Sequence, residues 1–504
     1  MLNLFRGNAP DHPLADPKEA RRLIEELPAQ DPLKALEELA QWHESVGAAD
    51  GFRCDARIQL LFMLDEAAQG RLRRVSRDYF AGARASRFQE NVVWTRAQTY
   101  WRECAIAYGR AIDGVLQNAK GAQAATPLLP LLAVRALRAL AQQLKWLHLR
   151  YAPVEPSLWR VLNNVYAFSE SRGIAEAPVA AVYPGATGAS SPRQEFLRAL
   201  VLSVTSPDSL TPAEMDLAER LIGEFAASFA LATAAAPGLT HWTDLAQAMA
   251  PQRMAKAPPA VLSVRFFGGA GAVAEVKGLL RRIESTGRWP ESLGLPADAD
   301  TGGVVELLRR LQLYWSPAAP ERKHPRHAVK SRLSIVHGFD AVVGAVAGIA
   351  SLDFHKHPAE SWMVENVSGG GFGARAPQSR DEWLRIGALL ALQPEGGTNW
   401  LVGLVRRVSK GGAGEARVGI QTLSRSPELA RFSIRGADEP GVLLPSPDLP
   451  LGEAMLVIRS GVFIPGQTLE SQRGGRTYVY LPQAVVEHGD DYDLIRFREL
   501  VRES

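Results

Sequence analysis

Apolar residues recur at helical spacing along the first half of the chain. Asp31-Pro32 supplies an N-cap residue followed by proline at the first helical position. Leu33, Leu36 and Leu39 then fall on one face of the helix that this start predicts. Similar starts and periodic apolar runs continue along the region, so an all-α bundle is predicted over residues 1–255.

A seven-residue recurrence of aromatic residues predicts one long helix between residues 91 and 120. Trp94, Trp101 and Tyr108 follow one another at this spacing. Because seven residues make about two helical turns, the three rings lie on one face. We expect this stripe to be helix core and not a cofactor site.

The pattern changes beyond residue 255. Residues 256–320 combine a β-like run with two helical stretches, which predicts a mixed α/β connector. Short β-like runs between glycine-rich turns predict a β-barrel over residues 321–437. Further runs after the proline-rich stretch 440–450 predict a small β module over residues 438–504. The expected fold is therefore multidomain α+β.

Composition and charge narrow the class of protein. The chain has 504 residues, of which 46% are hydrophobic and 22% charged, which excludes a disordered or fibrous protein. With 57 basic and 54 acidic residues, the net charge of +3 predicts no general affinity for nucleic acid. Two isolated cysteines, no signal-peptide pattern and no apolar run of about 20 residues lead us to expect a cytoplasmic protein without membrane insertion.

Two short motifs carry the clearest chemistry. Arg322 and Arg326 stand four positions apart at the entrance to the predicted barrel, in the form R-x-x-x-R. Their guanidinium groups offer forks for phosphate oxygens and flat cations for stacking on a purine. Asn366, Ser368 and Gly371 follow in the form [D/N]-x-S-x-x-G, where short polar groups and glycines let the backbone approach a ligand closely.

Other candidate sites are weaker. Gly269-Ala-Gly271 superficially matches a dinucleotide fingerprint, but no alternating β-α series follows it. Asp353, His355 and His357 have the spacing of three metal ligands on a strand, yet the lysine and proline around them favour a solvated loop, so we expect no metal. Nucleophile-elbow, metalloprotease, Walker A, GGDEF and EAL motifs are absent, and we expect no enzyme activity.

An R-x-x-x-R segment followed by [D/N]-x-S-x-x-G in a small β-barrel resembles the PilZ domain of bacterial cyclic di-GMP receptors. The resemblance covers about residues 321–432 and implies a pocket for cyclic di-GMP, with no other cofactor. It implies that Arg322 and Arg326 grip phosphates and stack on guanine, while the Asn366 to Gly371 segment forms the opposing side. The chain departs from the family in the long interval between the two motif halves and in Glu321, where many members have a further arginine.

The resemblance also implies how the protein works. We expect a receptor in which cyclic di-GMP alters the arrangement of the domains, and in which the helical domain contacts one or more bacterial proteins. A ligand can do this only if it favours one arrangement over another. The alternative is a PilZ-like interaction scaffold that binds no ligand and acts through its helical domain.

Overall fold

The computed structural model describes residues 10–80, 87–185, 188–295, 300–318, 324–348, 359–377, 383–411, 415–434, 437–447 and 449–502. The chain divides into two compact units. The helical unit comprises residues 1–207 and 212–320, and the barrel unit comprises residues 208–211 and 321–504. The predicted four-part division of the chain stays a prediction.

The helical unit begins as a succession of α-helices, as the periodic apolar runs predict. Asp31 caps its helix by accepting the N–H of Lys34 at 3.0 Å. In the part of the chain that the structure describes, no helix has the length and apolar character to cross a membrane. The helices of this unit are α1 Pro17–Glu25, α2 Pro32–Ala48, α3 Cys54–Phe80, α4 Arg87–Leu116, α5 Leu129–His148, α6 Pro156–Ser171, α7 Pro192–Val204, α8 Pro212–Glu224, α9 Ala270–Thr286 and α10 Thr301–Trp315.

The long helix predicted from the aromatic recurrence is α4, and its stripe is core. Trp101 and Tyr108 are buried. Trp94 is partly buried, and its indole N–H donates to the carbonyl of Trp146 at 2.6 Å. The stripe therefore packs α4 against the neighbouring α5, as expected from its spacing.

A buried carboxylate lies at the centre of the helical unit. Asp65 of α3 accepts hydrogen bonds from the hydroxyls of Tyr100, Tyr108 and Tyr183 at 3.1, 2.9 and 3.2 Å. Beside it, the guanidinium of Arg135 lies over the ring of Tyr183 at 4.8 Å. Because Tyr183 belongs to a segment between helices, this cluster ties a loop to the helical core.

A small antiparallel sheet completes the helical unit. Its strands pair in the order β1-β4-β2-β3, and three of them lie inside the stretch where helix was predicted. Antiparallel pairing is incompatible with a dinucleotide-binding βαβ unit. A Cβ on Gly269 would lie 3.0 Å from the side chains of Phe229 and Trp315, so this glycine serves close packing. The strands are β1 Ala230–Ala232, β2 His241–Asp244, β3 Gln252–Arg253 and β4 Val264–Gly268.

The barrel unit contains two closed antiparallel barrels. The first follows the order β10-β7-β6-β5-β8-β9, and the second the order β11-β12-β13-β16-β15-β14. A helix, α11 (Phe339–Val346), lies between β5 and β6. The strands are β5 His327–His337, β6 Glu360–Ser368, β7 Gly371–Ala376, β8 Leu389–Pro394, β9 Leu401–Lys410, β10 Ala416–Ser424, β11 Glu428–Ile434, β12 Ala437–Leu443, β13 Glu453–Arg459, β14 Leu469–Arg473, β15 Arg476–His488 and β16 Tyr492–Arg502.

The second barrel starts earlier than the sequence suggested. Its first strand begins at Glu428, ten residues before the predicted start of the small β module at residue 438. The difference arises from Pro440 and Gly441, which read as a linker but lie in β12. Pro440 lies outside the β12–β13 ladder, which begins at Gly441 and so needs no N–H from it. A Cβ on Gly441 would lie 2.9 Å from the ring of Phe432, so the glycine makes room for that ring.

The two barrels share one apolar core. Phe339 and Val342 of α11 pack there with Leu404 of the first barrel and Val457 and Leu494 of the second. All five residues are at most 1% exposed. Burial of this kind stabilises the pair of barrels as one body.

Candidate functional site

The arginine segment enters the first barrel beside the turn between β6 and β7. β5 begins at His327, directly after Arg326. In the ladder between β5 and β6, His327 lies opposite Val367. Arg326 therefore lies level with Ser368, the last residue of β6 before the turn.

His324 brings the arginine segment into contact with that turn. A Cβ on Gly369 would lie 3.1 Å from Nδ1 of the His324 ring, and a Cβ on Gly370 would lie 3.4 Å from its Cδ2. The imidazole thus covers both glycines, and the missing side chains make room for it. The two motif halves, which are far apart in the sequence, meet at this ring.

Gly371 is required by the close approach of the neighbouring strand. Its φ is +153°, and a Cβ there would lie 1.9 Å from the carbonyl oxygen of Ile420 in β10. The N–H of Thr422 donates to the carbonyl of Gly370 at 3.0 Å. The hydroxyl of Ser368 donates to the carbonyl of Gly371 at 3.4 Å. These contacts anchor the turn to β10.

Asn366 borders a flat stretch of backbone, the glycine floor, formed by Gly373 and Gly419 in adjacent strands. It lies opposite Gly373 in the next strand, and a Cβ on Gly373 would lie 2.6 Å from the Asn366 amide nitrogen. Gly373 in turn lies opposite Gly419 of β10. On the far side, a Cβ on Gly419 would lie 3.1 Å from the Cβ of Arg407. The amide, the flat glycine backbone and the arginine thus lie in one row. The amide suits the edge of a purine, and the flat backbone and the guanidinium suit its face.

Arginines around the site differ in whether a carboxylate neutralises them. Arg375 donates from Nε and Nη2 to Glu365 at 3.1 and 2.7 Å and pairs with Glu415 at 3.3 Å. These carboxylates raise the pKa of Arg375. Arg326 and Arg425 are exposed, and among the described residues no carboxylate pairs with either of them. They are the cations at this site that an anion can reach.

Arg425 contacts the same turn as His324. It follows the turn in the sequence, whereas His324 precedes it. Its Nη2 donates to the carbonyl of Gly369 at 3.1 Å. Arg425 directly follows β10 and precedes β11, so it belongs to the connection between the two barrels. The turn therefore contacts both the segment that enters the first barrel and the segment that leaves it.

The structure brings four of the five predicted site residues to one end of the first barrel. Arg326, Asn366, Ser368 and Gly371 lie around the turn between β6 and β7. Arg322 lies outside the described residues. Their contact with a ligand stays a prediction.

Sequence reasoning missed four residues at the site: His324, Gly373, Gly419 and Arg425. His324 stands inside the R-x-x-x-R segment, where the motif leaves the residue free. Gly373 and Gly419 become neighbours only through the ladder between β7 and β10, and Arg425 only through closure of the barrel. Spacing along the chain carries no signal for such pairs, since strand register is decided by tertiary structure.

The predicted absence of a metal at Asp353, His355 and His357 also stays a prediction. These three residues lie outside the described part of the chain. Within the described part, no group of three or more histidine, cysteine, aspartate or glutamate residues is placed to hold a metal ion.

Two family models match the chain. The model described as cyclic-di-GMP receptor FimW, N-terminal domain, matches residues 18–236, and the model described as cyclic-di-GMP receptor FimW, middle PilZ domain, matches residues 350–428. Together they match more than half of the chain. The second match contains the turn from Asn366 to Gly371, begins after Arg326 and ends where β11 begins. No curated protein matches the chain.

Proposed function

Because the chain belongs to the family of the cyclic-di-GMP receptor FimW and contains its PilZ domain, we propose that its first barrel binds cyclic di-GMP. The two family matches confirm the PilZ resemblance that the sequence showed. The residues that we propose to contact the ligand are those of the two motif halves: Arg322, Arg326, Asn366, Ser368 and Gly371.

One observation carries this proposal. The His324 ring lies on Gly369 and Gly370, so the arginine segment and the glycine turn, 40 residues apart between Arg326 and Asn366, form one surface. Two short motifs that matched by chance would have no reason to meet in space. Their contact supports a single binding site.

The chemistry of the site suits a cyclic dinucleotide. Cyclic di-GMP presents two phosphates and two guanines, and the site presents exposed arginines beside a glycine floor. Guanidinium groups bind phosphate oxygens in pairs and stack on purines. The Asn366 amide can both donate and accept, which suits a guanine edge. We expect weaker binding of GMP or GTP, because neither spans both motif halves with two bases and two phosphates.

We further propose that ligand binding alters how the two units are arranged and thereby what protein the helical unit contacts. The boundary between the units falls at residues 320 and 321, so Arg322 is the second residue after it. A ligand that contacts Arg322 therefore acts next to this boundary. It shifts the arrangement of the units if it favours one arrangement over another.

Titration calorimetry on the full chain tests the binding site. Arg326→Ala and Arg322→Ala should each weaken cyclic di-GMP binding about ten- to a hundredfold, because each loses charge-assisted bonds worth about 1.5 to 3 kcal/mol. Arg431→Ala, an exposed arginine of the second barrel paired with Asp438 at 3.1 Å, is the matched control and should bind as the parent does. Lys323→Ala should also cost little. Parent-like affinity in both site variants would reject this pocket as the binding site, and a parent that binds no cyclic di-GMP would favour a scaffold without ligand.

Small-angle scattering tests the change in arrangement. Cyclic di-GMP at a concentration that just saturates the parent should change its radius of gyration, and the same concentration should change that of the Arg326→Ala variant much less. If the parent binds the ligand with no change in scattering or in distances between spin labels on the two units, the conformational part of the proposal is wrong.

A further inference from the structure

Gly369 is contacted by two residues whose identity neither motif specifies. The His324 ring covers it, and the Arg425 guanidinium donates to its carbonyl at 3.1 Å. The pair His324 and Arg425 is called the Gly369 clamp below. His324 lies in the segment that precedes β5, and Arg425 lies in the segment that follows β10.

The His324 ring lies across two consecutive glycines. A Cβ on Gly369 would approach Nδ1, Cγ and Cε1 of the ring at 3.1, 3.2 and 3.5 Å, and a Cβ on Gly370 would approach Cδ2 and Nε2 at 3.4 and 4.0 Å. Opposite edges of the ring therefore face different glycines. The ring thus contacts the backbone of the turn by van der Waals packing and needs no specific polar partner there.

His324 also fixes the start of the strand that follows Arg326. Only Pro325 separates His324 from Arg326, and its ring holds φ near −65°. Docking of the imidazole on the turn thus restricts where the Arg326 backbone can lie. A cation that is already positioned loses less conformational entropy when the ligand arrives.

The backbone next to Arg425, in the connection between the barrels, is held in place. The neighbouring Ser424 is 3% exposed, and its hydroxyl donates to the carbonyl of Pro445, beyond β12 of the second barrel, at 2.8 Å. From this position the Arg425 side chain reaches back to Gly369. The turn is therefore tied to the segment that leads into the second barrel.

We propose that the Gly369 clamp presets the ligand turn, with His324 and Arg425 acting as positioning residues for cyclic di-GMP. This inference rests on the proposed function. His324 fixes the arginine segment over the turn, and Arg425 fixes the turn to the connection between the barrels. Both act before the ligand is present.

Hydrogen exchange and calorimetry on four variants of the full chain test the clamp. His324→Ala and Arg425→Ala should each speed exchange of a peptide covering residues 366–373 in the ligand-free protein. Each should weaken cyclic di-GMP binding about fivefold, the size of one ordinary hydrogen bond. His324→Phe keeps a flat ring, so most of the parent's slow exchange and most of its affinity should return. Arg431→Ala is the control for loss of one exposed arginine.

The outcomes separate the clamp from the binding site itself. A parent protein that binds no cyclic di-GMP removes the proposed function, and the inference with it, even if exchange of the turn responds to the variants. A parent that binds, with clamp variants unchanged in affinity or in ligand-free exchange, overturns the inference alone. Weaker binding in Arg425→Ala with unchanged ligand-free exchange would show that Arg425 contacts ligand instead of presetting the turn.

Discussion

Charged side chains are placed differently in the two units of the molecule. In the helical unit two ion pairs are buried: Glu195 is 1% exposed and pairs with Arg138, while Lys145 is 6% exposed and donates to Asp216 at 2.6 Å. In the barrel unit the arginines at the ligand turn, Arg326 and Arg425, are exposed. Burial leaves a charge no freedom to meet a ligand, whereas exposure leaves it free to exchange partners.

The difference separates structural charges from charges that are available to a ligand. Burial alone would raise the pKa of Glu195, but Arg138 and Arg198 outweigh it and hold that pKa at about 2. Such a pair is costly to break, because the remaining partner stays buried.

Asp65→Leu should cause the largest loss of stability, and only in the helical unit. Three buried tyrosine hydroxyls lose their acceptor, and each unsatisfied group costs about 1 to 3 kcal/mol, so a loss of about 3 kcal/mol or more is expected. Urea unfolding followed by hydrogen exchange of α5 peptides measures it. Asp340→Ala, which removes an exposed ion pair with Arg459, is the control and should cost about 1 kcal/mol or less. Reduced cyclic di-GMP affinity in a folded Asp65→Leu protein would contradict the separation of roles.

Gly371→Ala should destabilise the first barrel by about 2 to 3 kcal/mol and abolish ligand binding. The new Cβ would lie 1.9 Å from the backbone oxygen of Ile420, so β7 must move away from β10. Gly396→Ala is the matched control, since Gly396 also has positive φ, +77°, but faces open space. It should cost about 1 kcal/mol and leave binding intact. Equal losses in the two variants would show that φ, and not the contact with Ile420, decides the effect.

Mild acid should weaken the helical unit before the barrel unit. Burial lowers the pKa of His43 to about 3 and those of His148 and His241 to about 4. The unfolded chain binds these protons near pH 6.5 and the folded chain does not. Stability is therefore full above pH 6.5 and falls as pH drops toward 4, by up to about 1.4 kcal/mol per pH unit for each histidine.

The variant His43→Leu should remove one histidine's share of that slope. Among the described residues neither ring nitrogen of His43 has a hydrogen-bond partner, so an apolar replacement loses no bond there. Urea midpoints at pH 7 and pH 5.5, read separately in peptides of each unit, make the comparison. In the barrel unit no histidine among the described residues is fully buried. An equal fall of both units between these pH values would contradict the prediction.

Local signals predicted the elements well, because they act within a few residues. Asp31 caps α2, as its place before Pro32 indicated. The arginine segment and the glycine turn were found because each motif is contiguous in the sequence and adjoins a strand. The mixed α+β class followed from the change in periodicity beyond residue 255 and is confirmed.

Such local signals could not predict which residues become neighbours in the tertiary structure. Asp65 looks like an ordinary polar position of a helix, and only the packing of α3 against α4 shows that three tyrosines surround it. Pro440 looks like a linker residue, yet it lies in β12, opposite Arg431 of β11 and just outside the β12–β13 ladder. Arg425 reaches Gly369 only because the barrel closes. Each depends on which strands or helices become neighbours.

Hydrogen exchange with and without cyclic di-GMP shows where on the chain the ligand acts. We expect protection in peptides covering residues 324–328, 366–373 and 421–425, which form the site, and unchanged exchange in the buried helix α5, Leu129–His148. The Arg326→Ala variant should show much weaker protection at a ligand concentration that just saturates the parent. Protection centred on α5, or no protection anywhere at saturating ligand, would contradict the claim that the first barrel is the cyclic di-GMP site.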